Sequence, residues 1–294
     1  MVLVVGATGL LGSEICRKLR RAGKPVRALV RPSSAKEKVA GLESTGAEIV
    51  PADLKDPASL ARACKGMSSI ITTASSTFSR QSGDSIESVD HAGYLNLIEA
   101  AVRNRVARFV YTSIPLEMRY DSPLLRAKRE VEKQLAASGI PCTVLAANYF
   151  MEVWLSPALA FDYANARATI YGTGEQPSAW VSYRDVAACA VAALDCNSED
   201  NRTLTIGGPD NLSPLEVVQI FEKVAGRSFE TTKVPVDTLR TQYDTASDPL
   251  GKSFAALMLE YAEGCRMNSA DARSLLQRPL MTVREYALES MGRK

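Results

Sequence analysis

The sequence predicts an α/β fold, a doubly wound parallel sheet with a small α-rich C-terminal lobe, and three observations predict it. The chain opens on an apolar strand-type run, Val2-Leu3-Val4-Val5, which breaks at a glycine-rich turn and continues as a helical pattern. Short apolar runs at 26–31, 47–51, 67–72, 108–112 and 141–147 then alternate with helical stretches. Beyond them, Ser182-x-x-Asp185, Ser213-Pro214-x-Glu216 and Thr282-x-x-Glu285 read as capping boxes that start helices at 185–195, 215–225 and 283–291. Strands that alternate with helices imply parallel pairing through right-handed crossovers, with helices covering both faces of the sheet.

The first turn is the most informative stretch. Gly6-Ala7-Thr8-Gly9-Leu10-Leu11-Gly12 places glycines three apart between strand and helix. Gly6 permits the turn, Gly9 lets backbone lie against a pyrophosphate, and Gly12 lets helix and strand pack closely. Thr8, Leu10 and Leu11 complete a loop whose amides open at a helix N-terminus, the arrangement that binds phosphate. A glycine turn after a strand is often only a turn, so the other contacts of a dinucleotide must be sought downstream.

They follow in order. The second strand ends in Arg31-Pro32-Ser33-Ser34, with Lys36 and Lys38 behind and no acid before Glu37. An acidic residue there would accept from a ribose 2′-hydroxyl, whereas cations and small donors suit a 2′-phosphate, so NADP(H) is expected in preference to NAD(H). Asp53 and Leu54, after the third strand, fall where an adenine would lie, although Asp53 alternatively caps the helix at 57–64. Ala74 and Ser75, in the small-residue loop 73–77, leave room for a cofactor. The helix at 85–103 holds the single histidine, His91, which reads as structural.

Composition excludes several classes. With 35 basic and 33 acidic residues well mixed through 294, nothing points to nucleic acid as a partner. Six dispersed cysteines without a Cys-x-x-Cys read as buried thiols in a reducing compartment, and one histidine makes a His-based metal site improbable. No signal-peptide pattern precedes the first strand and no apolar run suffices to span a bilayer, so a cytoplasmic location is expected.

Taken together, Gly6 to Gly12, Asp53-Leu54, Val89-Asp90-His91-Ala92-Gly93 and Phe109-Val110-Tyr111-Thr112-Ser113 resemble the atypical short-chain dehydrogenase/reductase family. Lys128-x-x-x-Glu132, 139–145 and Asn148-Tyr149-Phe150-Met151-Glu152 make the chain similar to the NmrA-like branch of that family. The branch includes NADPH-dependent quinone reductases, isoflavone-reductase-like enzymes and catalytically silent NADP(H) sensors. The resemblance implies a Rossmann NADP-binding domain over 1–150 and a substrate lobe over 151–294 interleaved with the last strands of the sheet. Asn148, Tyr149 and Phe150 leave the last predicted strand toward the nicotinamide, with Trp180 as a further border of the substrate.

Members of the wider family use Tyr-x-x-x-Lys on one helical face, the lysine lowering the tyrosine pKa. Here Lys128 stands at the matching place but Leu124 replaces the tyrosine. Tyr120, before Pro123, is expected to lie off that helix. Lys128 and Ser113 are therefore the candidate catalytic residues, with Thr112 a further hydroxyl. A quinone accepts hydride to give a delocalised phenolate that needs little proton donation, so a small quinone or related conjugated carbonyl suits this site. A silent NADP(H)-binding redox sensor acting through a protein partner is the alternative. Nucleotide-sugar epimerisation is weaker, because its tyrosine is missing. The irregular stretch 244–249 reads as a mobile loop.

Overall fold

The computed structural model describes residues 1–77, 81–196 and 200–293. Runs of apolar, largely β-branched residues form β1 (Val2–Val5), β2 (Val26–Val30), β3 (Glu48–Pro51), β4 (Ser69–Thr72), β5 (Arg108–Ser113) and β6 (Cys142–Ala147). Later come the short β7 (Tyr149–Phe150), β8 (Phe161–Asp162), β9 (Arg167–Tyr171) and β10 (Ser178–Val181). They are followed by β11 (Arg202–Ile206), β12 (Asn211–Leu212) and β13 (Glu230–Val234). Seven strands form the main sheet in the order β11-β6-β5-β4-β1-β2-β3. The pairs β3–β2, β2–β1, β1–β4 and β4–β5 run parallel. This is the Rossmann doubly wound arrangement: the order reverses between β1 and β4, the point beyond whose strand ends sheets of this kind bind ligands.

Helices α1 (Leu10–Arg21), α2 (Lys36–Glu43), α3 (Pro57–Cys64), α4 (Ala92–Arg103) and α5 (Pro123–Ala137) connect the strands. The central strands β1, β4 and β5 are almost wholly buried, and Leu3, Val5, Ile70, Phe109 and Tyr111 join Tyr94 and Leu97 of α4 in one core. The helix expected at 85–103 divides into a π-helical turn, Ile86–His91, followed by α4. A reciprocal Ser85–Ser88 cap starts it. Gly93 permits the close approach that follows, since a Cβ there would lie 2.9 Å from both Leu54 Cβ and Ser88 O. Asp53 does not cap α3: Asp56 accepts from Ala58 N at 3.0 Å, while Asp53 turns back to Lys55 N at 2.8 Å.

The chain divides into two compact units, Met1–Ser113 with Leu124–Leu145 and Val186–Leu204, and Ile114–Pro123 with Ala146–Asp185 and Thr205–Lys294. The second unit contains three-stranded sheets ordered β12-β10-β7 and β13-β9-β8. With them come α6 (Met151–Trp154), α8 (Pro214–Ala225), α9 (Val236–Thr245), α10 (Pro249–Glu263), α11 (Ala270–Leu276) and α12 (Val283–Ser290), while α7 (Tyr183–Ala192) has residues in each unit. Capping boxes start α8 and α12 at Ser213 and Thr282. The box read at 182–185 is not formed, because the Asp185 carboxylate instead accepts from Arg278 and from Met281 N. The stretch read as a mobile loop at 244–249 is a short link between α9 and α10, and Asp248 caps α10 through Gly251 N at 2.8 Å.

Candidate functional site

At the reversal of strand order the glycine turn is defined by what a side chain would strike. Gly6 has φ +82°, and a Cβ on it would lie 2.7 Å from Thr73 Oγ1 and 2.8 Å from Ala74 N. One on Gly12 would lie 2.2 Å from Gly6 O, so α1 approaches the turn as only glycine allows. Gly9 donates to Gly6 O at 3.0 Å and occupies the α1 N-cap without any side-chain cap. The first-turn amides of Leu10, Leu11 and Gly12 have no partner in the helix's own ladder, and the positive end of the helix dipole faces outward there. Leu11 anchors the loop in the core, whereas Thr8 is half-buried, Gly9 is exposed and Leu10 is 46% exposed.

Beside the turn, the loop after β4 is held from α4. Tyr94 Oη donates to Ala74 O at 2.6 Å and accepts from Thr72 Oγ1 at 3.0 Å. Ser75 Oγ lies 3.1 Å from Thr77 Oγ1. The fully buried Asp90 accepts through Oδ2 from Ser76 N at 3.0 Å and Ser76 Oγ at 2.6 Å, while its Oδ1 is buried with no hydrogen-bond partner among the described residues. The sequence carried no signal for Asp90 as the acceptor that holds this loop.

At the ends of β2 and β3 the expected cations and donors form a charged rim with partners of their own. Arg31 donates to Asp84 Oδ2 at 2.6 Å, and Lys55 pairs with the other oxygen of the same carboxylate. Although burial alone would raise it, the Lys55 ammonium, the Gln81 amide and Arg31 hold the Asp84 carboxyl below its ordinary value. Ser33 Oγ bonds Gln81 Oε1. Lys38 is exposed on α2, Asp53 is half-buried with its Oδ2 3.5 Å from Lys55 Nζ, and Leu54 is buried against Gly93. An open hollow of about 480 Å³ adjoins this rim, with Arg31, Pro32, Ser34 and Lys36 on one side and Val39 and Ile49 among its apolar wall.

Lys128 projects from α5 to the carboxyl end of β5 and is 6% exposed. Its Nζ donates to Thr112 O at 3.3 Å and Tyr111 Oη at 3.4 Å, and lies 5.1 Å from the centre of the Tyr111 ring. Burial pulls its pKa below the ordinary lysine value, and the Asp90 and Glu132 carboxylates oppose that shift. The same burial pushes the Tyr111 phenol well above its ordinary range, so Tyr111 stays protonated. Ser113 donates to Glu132, which also accepts from Arg129 at 2.7 Å. The Thr112 hydroxyl is buried with no partner among the described residues. Tyr120 lies before α5 and bonds Glu263 in the second unit. The first unit thus brings together the glycine turn, the β4 loop and the β5 end with Lys128.

The remaining expected contacts belong to the second unit. Asn148 donates through its side chain to Cys265 O at 2.9 Å, and its Oδ1 has no partner among the described residues. Tyr149 is buried among aromatic rings, 4.4 Å from Trp154 and 5.7 Å from Tyr261 between centres, and burial pushes its phenol well above the ordinary range. Phe150 is half-buried. Trp180, expected to border a substrate, is core: it is 1% exposed and donates to Leu212 O at 2.8 Å. His91 pairs with Glu87 at 2.9 Å on the surface, and five of the six thiols are buried. Among the described residues no helix is long and apolar enough to cross a membrane, and no group of three or more His, Cys, Asp or Glu is placed to hold a metal.

Comparison with known proteins agrees with this architecture. The model of the NmrA-like family matches residues 1–287. Photosystem II assembly factor Ycf39 of Synechocystis sp. is 32% identical over 244 residues, 81% of this chain and 72% of that protein. The (4-alkanoyl-5-oxo-2,5-dihydrofuran-3-yl)methyl phosphate reductase of Streptomyces griseus is 29% identical over 296 residues, 98% of this chain and 97% of that protein. The NADPH-dependent quinone oxidoreductase of Escherichia coli, solved with NADPH, shares the fold with a TM-score of 0.79 at 21% identity, covering 99% of this chain and 100% of that one. The chain belongs to the NmrA-like family.

Proposed function

We propose that the protein is an NADPH-dependent reductase of a small quinone or related conjugated carbonyl. The observation that carries this reading is a glycine turn so closely packed that a Cβ on Gly6 or Gly12 would strike neighbouring atoms, leading into the N-terminus of α1 with no side-chain cap, in the same unit as a desolvated Lys128 at the β5 end. NADPH, when bound, supplies the hydride. In this reading the 6–12 backbone holds the pyrophosphate, with Thr8 and Leu10 at its open side. Arg31, Ser33 and Lys38 serve the 2′-phosphate, Asp53 and Leu54 the adenine end, and Ala74 and Ser75 keep the crevice clear.

Lys128 would hold ribose oxygens, or an oxygen of the acceptor, from an amine that burial makes readier to give up its proton. Ser113, whose hydroxyl donates to Glu132, would be a second polar group at the β5 end. Tyr111 is not read as a replacement for the missing tyrosine, because its ring is fully buried and that burial makes its phenol a poorer proton donor. A site with a lysine and no ionisable phenol suits acceptors whose reduced form is already a stabilised anion. The reductase names of the Streptomyces griseus and Escherichia coli proteins support the class of chemistry.

The test is turnover of NADPH with a panel of quinones, followed by its absorbance. Consumption with at least one quinone supports the reading; tight NADPH binding with no consumption by any of them rejects it. The second reading is a silent NADP(H)-binding regulator. It is favoured by the absent Tyr-x-x-x-Lys and by the 32% identical relative being named an assembly factor. Small-molecule turnover and a cytoplasmic location are expected of the enzyme, whereas a stable protein partner is expected of the regulator.

A further inference from the structure

We infer that Asp84 is a built-in competitor for the 2′-phosphate subsite, so that this chain discriminates between the two nicotinamide dinucleotides through a carboxylate as well as through Arg31. The inference rests on the cofactor reading above. Two cations from different strand ends, Arg31 after β2 and Lys55 after β3, converge on one carboxylate whose side chain is fully buried. The carboxylate is fixed from its own segment as well, since Gln81 N donates to Asp84 Oδ2 at 2.9 Å. Gln81 in turn receives the Ser33 hydroxyl. The short stretch 81–84 therefore engages the cation and the hydroxyl that the end of β2 offers to a phosphate.

Charge makes this arrangement selective. A 2′-phosphate at these cations and the Asp84 carboxylate are like charges seeking the same donors, so the phosphate must displace it from Arg31 and Lys55 or bind beside it against repulsion. A 2′-hydroxyl faces no such conflict, because a carboxylate accepts from it. Asp84 thus narrows the preference for the phosphorylated cofactor that Arg31 creates. Removing only the charge, with the shape retained, should widen it.

The experiment compares wild type with Asp84→Asn, using 2′,5′-ADP and 5′-AMP as displacers of bound NADPH, together with direct NADPH and NADH titrations. The expected result is a tightening of about tenfold for 2′,5′-ADP and NADPH with less than about twofold change for 5′-AMP, tenfold being the effect of one modest charge interaction. Gln81→Ala, which removes the Ser33 contact while keeping all charges, should shift the same ratio the same way by a smaller factor, and it supplies the test if Asp84→Asn unfolds. An unchanged ratio in the variant that folds overturns the inference. So does weaker binding of the 2′-phosphorylated ligands, which would make Asp84 a positioner of Arg31. If wild type binds NADPH and only the ratio fails to move, the cofactor reading survives alone; if wild type binds neither dinucleotide, both fall.

Discussion

The glycine turn at the end of β1 and the charged rim at the ends of β2 and β3 both lie on the same sheet edge, yet they are built in opposite ways. The turn uses backbone only: its selectivity is the absence of side chains at Gly6, Gly9 and Gly12 and the leftover amides of α1. The rim rests on side-chain charge, with Arg31, Lys55 and Asp84 drawn from three separate segments. A site made of backbone is encoded within a few consecutive residues. One made of charge depends on which distant segments the fold delivers.

The contrast is tested first where it should be most severe. Gly12→Ala puts a Cβ 2.2 Å from Gly6 O, against backbone that cannot swing aside. A loss of stability of about 3 kcal/mol or more is expected, with NADPH binding abolished, as read by thermal unfolding and calorimetry. Unchanged binding would show that the turn is not the phosphate cradle. Next, Lys128→Met should lower turnover with a quinone by about 100-fold, the scale of one positioned proton donor or charge, while NADPH affinity changes far less. An equal loss in both would make Lys128 a binding group alone.

Lys128 also predicts a pH dependence of stability. Its folded pKa is lowered by burial, so between that value and the ordinary lysine value of 10.5 the unfolded chain binds more protons than the folded one. Stability should therefore rise with pH across that window, and it is diminished as pH falls through it. In Lys128→Met this contribution should vanish, which urea titrations at stepped pH would read. The smallest effect is expected in the second unit: Ser213→Ala removes one partner of the α8 capping box and should cost about 1 kcal/mol with nucleotide binding untouched.

What the sequence revealed follows the same division. The strand pattern placed β1 to β6 and the sheet, because each strand of a covered parallel sheet is a local apolar run. The capping boxes of α8 and α12 were legible for the same reason: Ser213 and Glu216, or Thr282 and Glu285, are three residues apart. At 182–185 an identical spacing misled, since Arg278 and Met281 N, far along the chain, compete for Asp185. Arg31 was visible as a cation at a strand end, but Asp84, 53 residues away, was not. Nor could periodicity mark β7, β8 or β12, which are two residues long and exist only through their neighbours. Trp180 was a reasonable pocket wall by position and proved to be core, because every residue of β10 is buried, so that position along the strand says nothing of exposure.

Calorimetric titration of the purified chain with NADPH and, separately, NADH tests the central claim most directly. A single saturable site with NADPH bound more tightly than NADH is the predicted result. Absence of any heat or saturation with either dinucleotide would contradict it.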